Sequence, residues 1–338
     1  MKRLDYLEHA GATLEGAEAL HFGNPERERL RAESGAVLFD LTASTRVWVQ
    51  GADGADFLHR VLTCEVRGLE PGRLTEAFLL SAQGRIELAF TLLRHETDRL
   101  LAVGDARVGA RLRQSLDQFL FAERVELVDD GESHAHFSVQ GPEADEVLAA
   151  GGLPRPEAGR HAEGHLAGLP VRVWRQTRSL SGGYDVLAPG ADFEAAYGAL
   201  VGSGATPAGT QTLEWLRVRA GLPRFGAEWT DESSPLEVSG LVGVTEGKGC
   251  YPGQEVIERT LALGRPPRAL VALQVVGSVH PGAPVLADGQ EVGRVTSAAD
   301  DGEGGAYALA LVKRRVAETD APLSIGGIAA RRHGSQGA

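Results

Sequence analysis

At 338 residues the chain is long enough for two or three domains, and 43% hydrophobic with 24% charged residues is the balance of a protein that buries ordinary cores. A net charge of −12 argues against broad binding to nucleic acid or to anionic membranes, both of which draw on an excess of Lys and Arg. Two cysteines cannot make a disulfide framework or fill a four-ligand metal site, and no apolar run has the length of a membrane span or a leader, so a soluble cytoplasmic protein is expected, with neither nucleic acid nor membrane as a direct partner.

The first expected element is a helix around ERERLRAES (26–34), leading into AVLFDLTAS. In RVWVQG (46–51) Val47 and Val49 alternate with polar neighbours, as in a half-buried strand. The segment ADGADFLHRVLTCEV then places Phe57, Leu58, Val61 and Leu62 on one helical face behind Asp53 as an N-cap, with Cys64 a small packing residue on the same helix. LTEAFLLS and RIELAFTLLR read as strands joined at AQGR, RLLAVGD as a third, and ARVGARLRQSLDQFL as an amphipathic helix.

HFSVQGPEADEVLAA (136–150) repeats the design of RVWVQGADGADFLHRV: a strand, the tripeptide Val-Gln-Gly, then a helix that starts on acidic residues. Two related α+β modules are expected. LPVRVWRQTR and GGYDVLAP follow as strands, DFEAAYGALVGSG and TQTLEWLRVRAG as helices, the latter stopped by Gly221 and Pro223. From about residue 268 the texture becomes all-β: RALVALQVVG, APVLADGQEVGRVTSAA and AYALALVKRRV alternate around Gly-rich turns, as in a small barrel, before the RRHGSQGA tail.

No GxxxxGK[ST], GxSxG or HExxH is present, and GSGATPAG (202–209) reads as a helix-to-loop exit. His161 and His165 stand at helical i,i+4 spacing among glycines and read as solvated surface; His134 and His136 share a strand face and read as surface or core-edge residues. Arg217 falls at i+4 from Leu213, at the edge of a buried stripe, and needs an anion. Glu214 and a ligand carboxylate are the two candidates, and a protein carboxylate is the commoner solution. The richest stretch is EGKGCYPGQE (246–255). Gly247 and Gly249 permit a turn or a close backbone approach, and Lys248 can stabilise a thiolate at Cys250 or grip an anion itself. A tight linker in which Cys250 is merely small fits the composition equally well.

KGCYPGQE, continuing to VIERT, resembles the K-G-C-[FY]-x-G-Q-E signature of the YgfZ-type folate-binding proteins, relatives of the glycine cleavage T-protein, an aminomethyltransferase. SGAVLFDLTASTRVWVQGADGADFLHRVLT and FSVQGPEADEVL resemble the family's two modules, LEWLRVRAGLPRFGAEWTDESSPLEV the stretch before the signature, and the last strands its C-terminal barrel. The resemblance implies an α+β fold of two related modules plus an all-β barrel, a three-domain cloverleaf around a central channel for tetrahydrofolate or a derivative. It divides the chain into a first module at 1–135, a second at 136–247, the signature loop and linker at 248–267, the barrel at 268–330 and a tail at 331–338, with module segments able to interleave.

By the same resemblance Lys248 and Cys250 stand at the channel mouth as catalytic residues, and Arg217, Tyr184, Glu87, Glu228, Gln254 and Glu255 belong to the folate site. No metal site is implied. The T-protein's paired Asp-Asp is represented here by Glu87 and Leu88 in GRIELAF, and the glutamate of its T-G-E-x-G-[YF] segment is missing from SLSGGYDV, where Tyr184 remains. Unpaired pterin donors would cost ~1–3 kcal/mol if buried. The resemblance therefore implies folate binding in support of iron–sulfur cluster assembly or repair and tRNA modification, with iron–sulfur client enzymes or assembly factors as partners. A true aminomethyltransferase oriented by Glu87, or a folate-binding scaffold without chemistry, are the alternatives.

Overall fold

The computed structural model describes residues 2–333. The chain forms two compact units, each drawing on separated stretches of sequence. One holds the chain up to Val47, Gly72–Leu74 and Asp129–Arg217; the other holds Trp48–Pro71, Thr75–Val128 and the chain from Val218 onward.

The first unit is built on a six-stranded sheet in the order His161–Leu166, Leu169–Arg175, Gly183–Pro189, His134–Gln140, Val37–Asp40 and Thr206–Pro207. Its pairs are antiparallel except the last, where Thr206 runs parallel to Val37. Phe137 and Val139 of the central strand pack with Val147 and Leu148 of helix Ala144–Ala150 and with Phe193, Tyr197 and Leu200 of helix Phe193–Gly202. The helix Pro25–Ser34 starts as its sequence directs: Asn24 accepts from the Arg27 amide at 3.1 Å and Pro25 occupies the first turn.

The second unit contains a five-stranded sheet in the order Leu74–Leu80, Ile86–Glu96, Arg99–Gly104, Thr45–Gln50 and Glu126–Asp129, and a closed barrel. Barrel neighbours follow the order Arg268–Val275, Ala306–Lys313, Gln290–Asp300, Pro284–Ala287, Leu323–Ile325 and Ile328–Arg332. Ala306, Ala308, Ala310 and Val312 point inward at a period of two, small enough to fill so narrow a barrel without a lumen. The α+β class with a C-terminal barrel is as the sequence indicates.

Both Val-Gln-Gly repeats form the same turn. The strands Thr45–Gln50 and His134–Gln140 end at Gly51 and Gly141, with φ of 127° and 122°. In each turn another segment's carbonyl occupies the space of a side chain. A Cβ on Gly51 would lie 2.1 Å from the Arg124 oxygen, and one on Gly141 would lie 2.3 Å from the Gly35 oxygen. Only glycine admits these approaches. Asp53 heads the following helix, but its carboxylate is diverted to Arg124, accepting from that residue's amide at 2.9 Å and from Nη2 at 2.9 Å.

Several local expectations are corrected. The helix Gly54–Val61 stops before Cys64, because Thr63 leaves it to donate its amide to Phe78 and its hydroxyl to the Gly243 carbonyl at 2.6 Å. Cys64 is nonetheless buried. The helix expected from residue 106 is divided at Gly109, whose φ is 54°, into a 3₁₀ turn Ala106–Val108 and the helix Arg111–Asp117. His161 and His165 lie on a strand, not a helix, and His161 is buried beside Arg172. At the C-terminus the last strand runs through Arg331 to Arg332, where a tail was expected, and residues 334–338 lie outside the described residues.

His136 departs furthest from the surface or core-edge reading. It is fully buried; its Nε2–H donates to Asp185 at 3.0 Å and its Nδ1 accepts from the Ser44 hydroxyl at 2.8 Å. Arg178 completes the group by donating to the same Asp185 carboxylate. Burial holds His136 below its ordinary range, against the pull of Asp185. Burial works to raise the Asp185 carboxyl, but Arg178 and His136 outweigh it and hold that carboxyl well below the usual carboxylate range.

Two predictions follow from this architecture. Gly51→Ala and Gly141→Ala should each lower stability in denaturant melts by at least ~3 kcal/mol, strain and overpacking combined. Gly16→Ala, with positive φ but no atom within 4 Å of its Cβ position, should cost only ~1 kcal/mol. Because both folded values are depressed, the His136 contribution is lost as pH falls below about 6.5, and that of Asp185 as pH falls below about 3.9 through its folded value. The slope of the urea midpoint between about pH 6.5 and 5 should therefore flatten in His136→Gln.

Candidate functional site

The signature stretch lies in the second unit, and backbone contacts hold it there. Gly247 and Gly249 take φ of 68° and 108° with no protein atom near their Cβ positions, so they serve the turn rather than a tight protein contact. Lys248, between them, is half-buried. Its ammonium donates to the His59 carbonyl, and His59 Nε2 donates in return to the Lys248 carbonyl at 3.2 Å. His59 sits on the helix that follows the first Val-Gln-Gly turn, and its Nδ1 faces Glu65 Oε1 at 3.0 Å. The loop is thus clasped at one residue through both its side chain and its backbone.

Around this clasp the polar groups differ in exposure. The Lys248 ammonium stands 4.9 Å from the centre of the buried Tyr251 ring, whose hydroxyl is buried without a hydrogen-bond partner among the described residues. Burial lowers the Lys248 ammonium from its usual value. Burial also pushes the Tyr251 phenol and the Cys64 thiol each up to about 12, so Cys64 stays a neutral thiol. Cys250 is exposed. Both cysteines lie within electrostatic reach of the one lysine.

The loop then turns at Gly253, φ 78°, pressed against the turn Ser81–Gly84: a Cβ there would lie 2.5 Å from the Ser81 oxygen and 2.9 Å from Gly84 Cα. That turn leads into the strand carrying Glu87, and Gly253 leads into the helix Gln254–Ala262. The Glu87 carboxylate is half-buried and makes no hydrogen bond or ion pair among the described residues, and the same holds for the Gln254 side chain. Glu255 is exposed and pairs with Arg259 one turn on. Glu258 reaches back to the Gly247 amide at 3.5 Å.

The other expected residues have internal partners. Glu228 is fully buried and accepts from the hydroxyls of Thr296 and Ser297, each at 2.6 Å. Adjacent strand residues normally face opposite ways, but the register shifts between Val295 and Ser297, and this bulge turns both hydroxyls onto one carboxylate. In the first unit Arg217 is buried, with Nε donating to Glu214 Oε2 at 2.6 Å and Nη2 to Oε1. Tyr184, also in the first unit, donates to Asp145 Oδ1 at 2.6 Å; burial first and then Asp145 push its phenol up to about 12.

Lys248, Cys250 and Gln254 therefore share one loop docked against the turn before Glu87. The Glu87 and Gln254 side chains and the buried Tyr251 hydroxyl make no hydrogen bond among the described residues. His59 and Glu65 were missed in the sequence. Nothing in FLHRVLTCE marks His59 as a clasp, since its partner is a backbone carbonyl 189 residues away. Among the described residues no three His, Cys, Asp or Glu side chains gather to hold a metal ion, and no helix is long and apolar enough to cross a membrane.

Residues 7–245 match the family described as the GCVT N-terminal domain, and residues 268–333 match the CAF17 C-terminal β-barrel domain. A chloroplastic protein of Arabidopsis thaliana, whose transferase name is itself an inference, is 26% identical over 310 residues, covering 90% of this chain and 72% of that one. An aminomethyltransferase of Streptomyces avermitilis is 28% identical over 301 residues, covering 83% and 78%. Among solved structures, the glycine cleavage system aminomethyltransferase T of Bartonella henselae superposes with a TM-score of 0.87 at 21% identity, over 98% of this chain and 95% of that one. At that identity the likeness is one of fold.

His59→Ala removes the imidazole donor to Lys248 but keeps the His59 carbonyl. Amide hydrogen exchange at residues 247–250 should quicken up to about tenfold, the equivalent of one ordinary hydrogen bond, while exchange in the barrel strands stays unchanged.

Proposed function

The chain belongs to the GCVT family and carries a C-terminal barrel of the CAF17 type, and on that footing we propose that it is a tetrahydrofolate-binding protein of the YgfZ type. In this reading it acts in the cytoplasm, in one-carbon metabolism, and supports iron–sulfur cluster assembly or repair and, through client enzymes, tRNA modification. The observation that carries it is the signature loop, where the single exposed thiol of the chain stands beside a lysine locked in place by a backbone clasp.

Folate, when bound, supplies a carrier for a one-carbon unit. Glu87 and Gln254, whose side chains make no hydrogen bond among the described residues, are suited to accept from and donate to its ring. Arg217 and Tyr184 are the family-type folate residues of the first unit, and Arg217 could share its guanidinium between Glu214 and a ligand carboxylate. Glu228 acts by fixing the segment after Arg217 onto the barrel, and Glu255 by its charge near the loop. Cys250 contributes one thiolate ligand to the iron of a cluster, and the remaining ligands come from a partner protein or a small thiol.

The curated relatives named as aminomethyltransferases favour a second reading, a folate-dependent aminomethyltransferase in which Glu87 orients the reacting amine and Cys250 is incidental. A scaffold that binds folate without chemistry is a third.

Titration of the purified chain with tetrahydrofolate should give saturable quenching or heat, weakened at least tenfold by Arg217→Ala. No saturable signal removes the ligand common to all three readings. Cys250→Ala should bind folate as well as the parent yet fail to restore iron–sulfur enzyme activity in a strain lacking the protein. Full restoration would leave the thiol without a role, and release of ammonia with glycine-cleavage partners would establish the second reading.

A further inference from the structure

The barrel carries a second feature, apart from the signature loop. Where the strand Arg268–Val275 begins and the strand Ala306–Lys313 ends, a cleft of about 350 Å³ is lined by Arg265, Pro266, Pro267, Lys313, Arg314, Arg315 and Glu318. Four cations and one carboxylate face it, in a chain whose net charge is −12. Such a concentration opposes the charge of the rest of the molecule, and a bound anion would relieve the mutual repulsion among the cations.

The carboxylate present does not exhaust them. Glu318 is shared between Arg265 and Arg314, and its bond to Arg314 Nη1 is long, 3.3 Å. The other terminal nitrogen of Arg314 reaches the Arg268 carbonyl only at 3.4 Å, and its Nε is buried with no partner. Arg315 is exposed and makes no hydrogen bond or ion pair among the described residues. Among the described residues the Lys313 ammonium donates to the Glu291 carbonyl alone, at 3.1 Å. The walls are anchored, however: the Arg314 amide donates to the Pro267 carbonyl at 2.8 Å, and Lys313 pairs in register with Arg268.

We infer that this cleft is a binding site for a diphosphate group, either inorganic pyrophosphate or the diphosphate of a nucleotide. Guanidinium forks match phosphate oxygens in pairs, and a diphosphate concentrates about three negative charges within one such cleft, where a carboxylate brings one. No aromatic side chain lines the cleft, so a nucleobase has no ring to stack on and recognition rests on the phosphates. Glu318 occupies part of the charge field that the ligand would take over, so it sets the affinity low and makes it adjustable.

Calorimetry on the full chain at low ionic strength, with pyrophosphate, ADP, AMP and orthophosphate as probes, tests this. Pyrophosphate should bind saturably at one site and orthophosphate at least tenfold more weakly. ADP equal to pyrophosphate identifies the diphosphate as the shared determinant, and ADP tighter than pyrophosphate points to a nucleotide source. Arg314→Ala with Arg315→Ala should weaken pyrophosphate at least tenfold, while Glu318→Gln should tighten it severalfold; thermal melts on each variant confirm that the barrel is folded. The inference is overturned if neither the parent nor Glu318→Gln binds pyrophosphate, if the double variant binds it unchanged, or if orthophosphate or single-stranded RNA binds as tightly as pyrophosphate at that site.

Discussion

One hydroxyl joins the two halves of the internal repeat. Arg46 and His136 occupy the same position in RVWVQG and HFSVQG, five residues before the glycine of each turn. Both are buried, both pair with a buried aspartate, Asp130 and Asp185, and the Ser44 Oγ accepts from Arg46 Nη1 at 2.8 Å while donating to His136. Arg46 spends its remaining donors on four backbone carbonyls, those of Thr42, Ser44, Gly131 and His134. A buried charge left unpaired is strongly destabilising, so each of these contacts constrains where the neighbouring strand runs. The strands that emerge from the cluster deliver their glycines to the two turns, and the helix after the first turn carries His59 to the signature loop.

Periodicity made most of this architecture legible. Alternation located the longer strands of both sheets and of the barrel but not Val37–Asp40, Glu126–Asp129, His161–Leu166 or the last two barrel strands, and the shared tripeptide announced that two turns would be built alike. What periodicity could not show was why the third letter is glycine, because the atom that excludes a side chain is a carbonyl distant in sequence: Arg124 for Gly51 and Gly35 for Gly141. The same blindness hid His136. A histidine at alternate spacing reads as an edge residue until its aspartate, 49 residues on, is folded against it. Asp53 was read by local rule as a cap, and the local rule gave way to a better partner in Arg124.

The candidate site was legible in part for a similar reason. The signature announced itself by its unusual composition, and the structure adds that its lysine is held by His59 and its tyrosine hydroxyl is buried and unsatisfied. Neither fact has a local signal. Arg217 stands out in sequence as a charge beside an apolar stripe and Glu228 only through the family resemblance, and both have protein partners in the fold. Their pairing explains how such charges survive burial and leaves a ligand only the lone pairs and donors that those partners do not use.

Lys248 also changes meaning once its bonds are counted. A lysine beside a thiol suggests an electrostatic partner for a thiolate, which requires the ammonium to be directed at the sulfur. Here the ammonium is directed at a carbonyl, lies over an aromatic ring and is partly desolvated. It therefore works first as an anchor. Cys64, the other thiol within its reach, is sealed and neutral. The result is one fixed residue followed by one exposed thiol, with no protein atom near the Cβ position of the glycine between them. A thiol presented this way keeps its coordination sphere open, which suits a group that meets its remaining ligands on a partner and suits poorly a nucleophile that needs a built-in base.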